Sequence, residues 1–232
     1  MSLFQPETVA CPACGAPVEF AVVYSINADR RPDLRDGILD GTFQEEICDK
    51  CDKAFRLEPE LTYLDVARKQ WLLVQPAGKL ADWPELEERA KSSFDKSYGP
   101  HQAPAVQALG RTMQARVTFG WAAFREKLLA VERGLDDVVL ELVKLAIIRG
   151  LDDSPLADDT ELRLVDLEGD DLVLAWIKSA DESAVEVLTA PRALYDEIAA
   201  DTGSWKALRD QLLQGAFVDL QRLLISSAVT RK

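Results

Sequence analysis

The first third of the chain contains short apolar runs typical of strands. Residues 18–24 form the clearest run, residues 55–63 form a weaker one that Pro59 interrupts, and residues 71–74 form a third. Residues 27–41, between the first two runs, are polar and carry proline and glycine. This segment is therefore predicted to be a loop or a short helix.

The middle of the chain has the apolar spacing of helices. One predicted helix face is formed by Trp83, Leu86, Ala90 and Phe94, and the sequence Tyr98-Gly99-Pro100 ends that helix. A second stripe advances by four and three residues and predicts one long helix from about Pro104 to Gly134. Its members are Val117, Trp121, Phe124, Leu128 and Val131.

Residues 135–149 predict a further helix that is apolar nearly all round, which is typical of a buried, central helix. Its polar stripe consists of Asp137, Glu141 and Lys144. This stripe is interpreted as a solvent face with a Glu141–Lys144 pair. The alternative is that the three side chains line a pocket.

The last third predicts a small antiparallel meander followed by helices. Residues 151–161 have the composition of a linker, and three strand-like runs follow at residues 161–167, 172–178 and 184–189. Pro191 is placed to open a helix, because proline is favoured in the first helical turn.

The four cysteines form two CxxC pairs, Cys11 with Cys14 and Cys48 with Cys51, and none is left over. Two thiolates two residues apart can hold one ion from a tight turn, and four thiolates in a tetrahedron favour zinc. Gly15 follows the first pair and permits the turn, whereas Asp52 stands at the equivalent position of the second. The pattern predicts one structural zinc ion per chain.

Three other uses of the cysteines stay open. The CxxC pairs could perform thiol redox chemistry, which favours a CxxC at the start of a helix. They could hold iron in a rubredoxin-like site, or they could form two disulfides. A closed four-thiolate site has no open position for water, so a structural role is favoured over a catalytic one.

The charge balance limits the classes of partner. The net charge is −13, and residues 1–70 hold 13 acidic against 8 basic residues. Nucleic acids and anionic membranes are bound through lysine and arginine, so neither is expected as a partner. The beginning of the sequence has no basic stretch followed by an apolar one, which predicts a cytoplasmic protein. A single histidine, His101, excludes mechanisms that need two.

Several stretches together resemble the bacterial CpXC family. They are Cys11-Pro12-Ala13-Cys14-Gly15, Ser25-Ile26-Asn27, residues 34–41, Cys48 with Cys51, residues 61–65, Phe119-Gly120-Trp121, residues 125–128, residues 134–137 and residues 141–144. The resemblance implies a bacterial, zinc-binding protein and supplies no catalytic residue.

The expected fold is α+β, in three parts. Residues 1–75 form a zinc-ribbon-like domain, residues 76–153 a helical region, and residues 154–232 a meander with C-terminal helices. The expected function is a protein-protein interaction or adaptor module with a structural zinc, and not an enzyme. The alternatives are a nucleic-acid-associated regulator that uses the zinc ribbon, and an enzyme with a pocket around Asp137, Glu141 and Lys144.

Overall fold

A computed structural model describes residues 2–58, 60–151, 159–179 and 181–229. Within these ranges the chain forms eight α-helices and three sheets, which confirms the mixed α+β class. The chain separates into two compact units, residues 1–121 and residues 122–232. The division into parts at residues 75 and 153 stays a prediction. Most of the predicted linker falls on residues 152–158, outside the described residues.

The first unit is built on a mixed five-stranded sheet with strand order β1-β2-β5-β6-β7. The strands of this unit are β1 (Leu3–Ala10), β2 (Pro17–Asn27), β3 (Glu45–Ile47), β4 (Ala54–Arg56), β5 (Leu61–Asp65), β6 (Gln70–Gln75) and β7 (Gln114–Phe119). Its helices are α1 (Pro32–Leu39), α2 (Trp83–Tyr98) and α3 (Pro104–Gly110), with a short 3-10 helix at Ala77–Asp82. Strands β3 and β4 form a separate antiparallel hairpin.

Strand β6 forms the centre of this unit, because all six of its residues are buried. It pairs antiparallel with β5 and parallel with β7, and the crossover between β6 and β7 carries α2. The predicted apolar face of α2 packs there, with the rings of Trp71 and Phe94 at 5.4 Å in an edge-to-face contact. The strands predicted near residues 18–24 and 71–74 and the helix ending before Gly99 are confirmed.

The prediction of one long helix from Pro104 to Gly134 is wrong. Helix α3 ends at Gly110, β7 follows, and a new helix, α4 (Gly120–Glu132), begins directly after it. Strand β7 pairs with β6 in register, for example Val117 with Leu73. Sheet pairing therefore overrides a helical spacing that is real only from Trp121 onward.

The second unit combines four helices and the continuation of α4 with a three-stranded sheet. Its further elements are α5 (Asp137–Gly150), β8 (Thr160–Glu168), β9 (Asp171–Lys178), β10 (Ala184–Ala190), α6 (Arg192–Ala200), α7 (Lys206–Leu212) and α8 (Leu220–Val229). The strand order β10-β9-β8, antiparallel throughout, confirms the predicted meander. The Asp136 side chain caps α5 by accepting hydrogen bonds from the N–H groups of Val138 and Val139. Among the described residues, no helix has the length and apolar character needed to cross a bilayer.

Candidate metal centre

The first cysteine pair lies in a tight turn between β1 and β2. The Cys11 N–H donates to the Ala16 carbonyl at 2.8 Å, and the Gly15 N–H donates to the Cys11 carbonyl at 2.8 Å. Gly15 has φ of +72°, in the left-handed region that glycine adopts at little cost. The sequence therefore closes this turn immediately after Cys14, with both thiols on the same loop.

The second cysteine pair lies at the tip of the β3–β4 hairpin and repeats this geometry. The Cys48 N–H donates to the Lys53 carbonyl at 3.0 Å, and the Asp52 N–H donates to the Cys48 carbonyl at 2.8 Å. Asp52 has φ of +54°, so it adopts the conformation that Gly15 adopts in the first turn. The absence of glycine after Cys51 therefore leaves the turn geometry intact, since aspartate tolerates this region better than most residues.

The four sulfur atoms lie close together. The Sγ atoms of Cys11 and Cys51 are 3.7 Å apart, as are those of Cys14 and Cys48, and all four lie within 4.8 Å of one another. A tetrahedral site with metal–sulfur bonds of about 2.3 Å has sulfur–sulfur edges of roughly 3.8 Å, whereas bonded sulfurs lie about 2.05 Å apart. The residues present fit a tetrahedrally coordinated metal ion.

The surroundings of the sulfurs are unequal. Cys11 and Cys48 are buried and form a small apolar cluster with Ala16, whereas Cys14 is exposed. Phe55 on β4 packs against this cluster and contacts the ring of Phe20 at 5.2 Å. Each turn therefore contributes one buried and one more accessible thiol, and the hairpin is packed against β2 on one side of the site.

The pKa values of the Cys11 and Cys51 thiols are shifted in opposite directions. Burial opposes ionisation of Cys11, but hydrogen bonds from the N–H groups of Ala13 and Cys14 and from neighbouring thiols lower its pKa to about 7. At Cys51 the N–H of Lys53 favours the thiolate, but burial and the other three thiols outweigh it and raise its pKa to about 12. A cation is what allows four adjacent thiolates to coexist, because metal binding displaces the protons.

Neither cysteine pair opens a helix. Both CxxC sequences lie in turns that lead into strands, β2 after Cys14 and β4 after Cys51. Thiol redox motifs depend on a helix N-terminus to stabilise the attacking thiolate. The local structure therefore supports metal binding over thiol redox chemistry.

The predicted polar stripe of α5 is not solvent-exposed, so its interpretation as a solvent face is wrong. Asp137 is 3% exposed, and Glu141 and Lys144 are fully buried. The pair predicted between Glu141 and Lys144 does form, with 2.6 Å between Oε2 and Nζ. A substrate would have to displace buried ion pairs to reach these three side chains.

These side chains belong to a buried network of charges in the second unit, most of which the sequence pattern missed. Lys144 contacts Glu126 on α4 at 3.0 Å, and Lys127 contacts Asp137 and Glu141, each at 3.2 Å. The remaining members are Glu161, Arg163 and Asp219. Glu126 and Lys127 lie off the apolar stripe of α4. No local signal in the sequence indicates that Glu126 pairs with Lys144 and Arg163, or that Lys127 pairs with Asp137 and Glu141.

Two turns bring four thiols to one point, an arrangement that could hold a metal ion. Residues 9–144 match the family model described as CpXC protein. The match covers more than half of the chain, so the chain belongs to the CpXC family, which confirms the resemblance. No curated protein and no solved structure matches the chain.

Several stretches that carry the family resemblance meet in the first unit. Ile26 and Tyr63 are partners in the parallel pairing of β2 with β5. The carboxylate of Asp65, at the end of β5, accepts a hydrogen bond from the Tyr63 hydroxyl at 3.2 Å and lies 3.9 Å from the Arg35 guanidinium. These contacts fasten α1 to the sheet.

Proposed function

We propose that the chain binds one structural zinc ion through Cys11, Cys14, Cys48 and Cys51, in a zinc-ribbon-like arrangement. The spacing of the sulfurs carries this proposal, because edges of 3.7 Å suit a tetrahedral thiolate site. Thiolate ligands persist where cysteines stay reduced, so the proposal includes a cytoplasmic protein. The family resemblance adds a bacterial source to the proposal.

Elemental analysis of the purified protein tests the metal. We expect one zinc per chain, and four thiols that react with a thiol reagent only after denaturation. The matched variant is Cys14→Ser, which removes one ligand at the exposed position and is expected to lower the zinc content. Iron in place of zinc, or two disulfides and no metal, would contradict the proposal.

We propose further that the protein is an interaction or adaptor module whose partner adds a strand to β10. This strand is the edge of its sheet, and Val185 and Val187 are 51% and 57% exposed. An edge strand has unpaired backbone groups, and strand addition is a recurring mode of protein recognition. Glu182 pairs with Arg125, whereas Asp181 and Glu186 add negative charge at this strand, so a partner strand with basic residues is favoured.

Substitution of Val187 by lysine tests this surface. We expect a specific protein of the source cells to be captured by the wild type and by Leu213→Lys, but not by Val187→Lys. Leu213 is the matched control, because it is 56% exposed and lies outside the strand. Equal capture by all three proteins, or capture of none, would count against the β10 surface.

The two other candidate functions have weaker support. A net charge of −13 opposes binding to phosphate backbones, which disfavours a nucleic-acid-associated regulator. An enzyme centred on Asp137, Glu141 and Lys144 would need access to side chains that are now buried in ion pairs.

A further inference from the structure

The hairpin that carries the second cysteine pair is too small to be stable by itself. Strands β3 and β4 contribute three residues each, paired as Glu45 with Arg56, Glu46 with Phe55 and Ile47 with Ala54. Isolated two-stranded hairpins are marginally stable at best in water. The hairpin therefore depends on what holds its tip, where Cys48 and Cys51 lie, and on what holds its base.

The base of the hairpin contacts the indole of Trp121. The indole Nε1–H donates to the Leu57 carbonyl at 2.8 Å, and the Arg56 guanidinium carbon lies 4.3 Å from the ring centroid. Phe43, on the other side of the hairpin, meets the same ring edge-to-face at 5.8 Å. The Arg56 Nε also donates to the Phe43 carbonyl at 2.8 Å, which closes a clamp of Phe43, Arg56 and Leu57 around Trp121.

Trp121 lies where the backbone has little freedom of its own. Strand β7 ends at Phe119 and α4 begins at Gly120, which has φ of +79°. A Cβ at position 120 would lie 3.2 Å from the Ala77 Cβ, so the main chain passes close to the neighbouring segment. The backbone of Trp121 is thus set by β7, and its side chain, which is 3% exposed, is held by the hairpin.

We infer that metal loading of the four cysteines is thermodynamically coupled to the clamp around Trp121. The inference rests on the proposed zinc site. Zinc at the tip holds Cys48 and Cys51 in one geometry and keeps β3 paired with β4, and this pairing positions Arg56 and Leu57 around the indole. Loss of zinc frees the tip and loosens the clamp, so the surroundings of the Trp121 indole change with the state of the metal centre.

If zinc binding stabilises the clamp, the clamp must strengthen zinc binding by the same factor, because thermodynamic coupling is reciprocal. Zinc affinity in clamp variants therefore tests the inference. In the full chain, Trp121→Phe and Arg56→Gln are each expected to weaken zinc affinity about three- to tenfold, the range set by losing one hydrogen bond. Affinity is measured by competition with a chromophoric chelator. Trp83→Phe is the matched control in the same unit, and its zinc affinity is expected to match that of the wild type.

Tryptophan emission supplies a second readout. Zinc removal from the wild type and from Trp83→Phe should shift the emission to longer wavelength, and most of that shift should be absent in Trp121→Phe. Far-UV circular dichroism identifies any variant that fails to fold, and Arg56→Gln then carries the test. Wild-type affinity in both clamp variants overturns the coupling and leaves the zinc site intact. Absence of zinc binding by the wild type overturns the proposed function as well.

Discussion

Replacing Cys48 by serine is expected to lower the thermal unfolding temperature of the first unit by roughly 15 °C. An ion present at a thousandfold excess over its dissociation constant stabilises the folded state by about 4 kcal/mol, and each kcal/mol moves the midpoint of a domain this size by several degrees. Cys48 is buried at the hairpin tip, and its replacement removes one of the four ligands of the proposed site. Differential scanning calorimetry in the presence of zinc measures the change.

The control for this experiment is Ala13→Ser, which alters the first turn between its two cysteines without removing a ligand. Ala13 is exposed, so this substitution should leave the thermal unfolding temperature unchanged. In Cys48→Ser, hydrogen exchange should show the largest loss of amide protection in residues 45–57, since the short hairpin depends on its tip. If Cys48→Ser and Ala13→Ser unfold alike, the four cysteines do not stabilise the fold through a shared ion.

The local parts of the metal centre were predictable because their causes are local. Each CxxC turn requires a residue that tolerates positive φ directly after it, and Gly15 and Asp52 both satisfy that requirement. The meander of β8, β9 and β10 was predictable for a similar reason, since alternating runs separated by short polar turns have few other solutions. What could be predicted is the geometry set by neighbours in the sequence.

The elements that were missed depend on distant partners. Strand β1 carries Pro6 and is largely exposed at the sheet edge, so it lacks the apolar alternation of a half-buried strand. Strand β7 is short, and the helical spacing of apolar residues in α4 extends back into it. Only its pairing with β6 distinguishes it from a helix. Pairings of this kind cannot be recognised in a single segment.

The buried charges show the same limit more strongly. A helix with one polar stripe is ordinarily placed with that stripe toward water, and α5 would be so placed from its sequence alone. Its stripe instead pairs with Glu126 and Lys127 of α4, and Glu126 in turn pairs with Arg163 of β8. A polar residue is buried where its partners are available, and the partners here are separated by many residues along the chain.

Arg163 is expected to be the most sensitive member of this network. Its guanidinium contacts Glu126 at 2.9 Å, Asp219 at 2.6 Å and Glu161 at 2.5 Å, all within the second unit. Arg163→Met leaves these carboxylates buried without their shared cation, at a cost of about 3–5 kcal/mol in the free energy of unfolding. Urea denaturation at pH 7 measures the cost.

The matched control is Arg192→Met, which removes an arginine of the same unit that is partly exposed and pairs with the exposed Asp196. Exposed pairs are worth below about 1 kcal/mol, so this variant should unfold nearly like the wild type. Equal losses in the two variants would contradict the view that burial makes the Arg163 contacts important. A second substitution, Asp219→Asn, should recover part of the loss in Arg163→Met, because it removes one of the stranded charges.

The pH dependence separates lost charge pairing from lost packing. Burial by itself would raise the pKa of Asp219, but Arg163 and two nearby lysines lower it to about 2. The pKa of an aspartate in an unfolded chain is about 3.9, so the charged form of Asp219 stabilises the fold above that pH. This stabilisation is lost as the pH falls through about 2.

The free-energy difference between the wild type and Arg163→Met should therefore be largest near neutral pH and narrow below about pH 4. A difference that stays constant over this range would mean that Arg163 acts by filling space, because packing does not titrate.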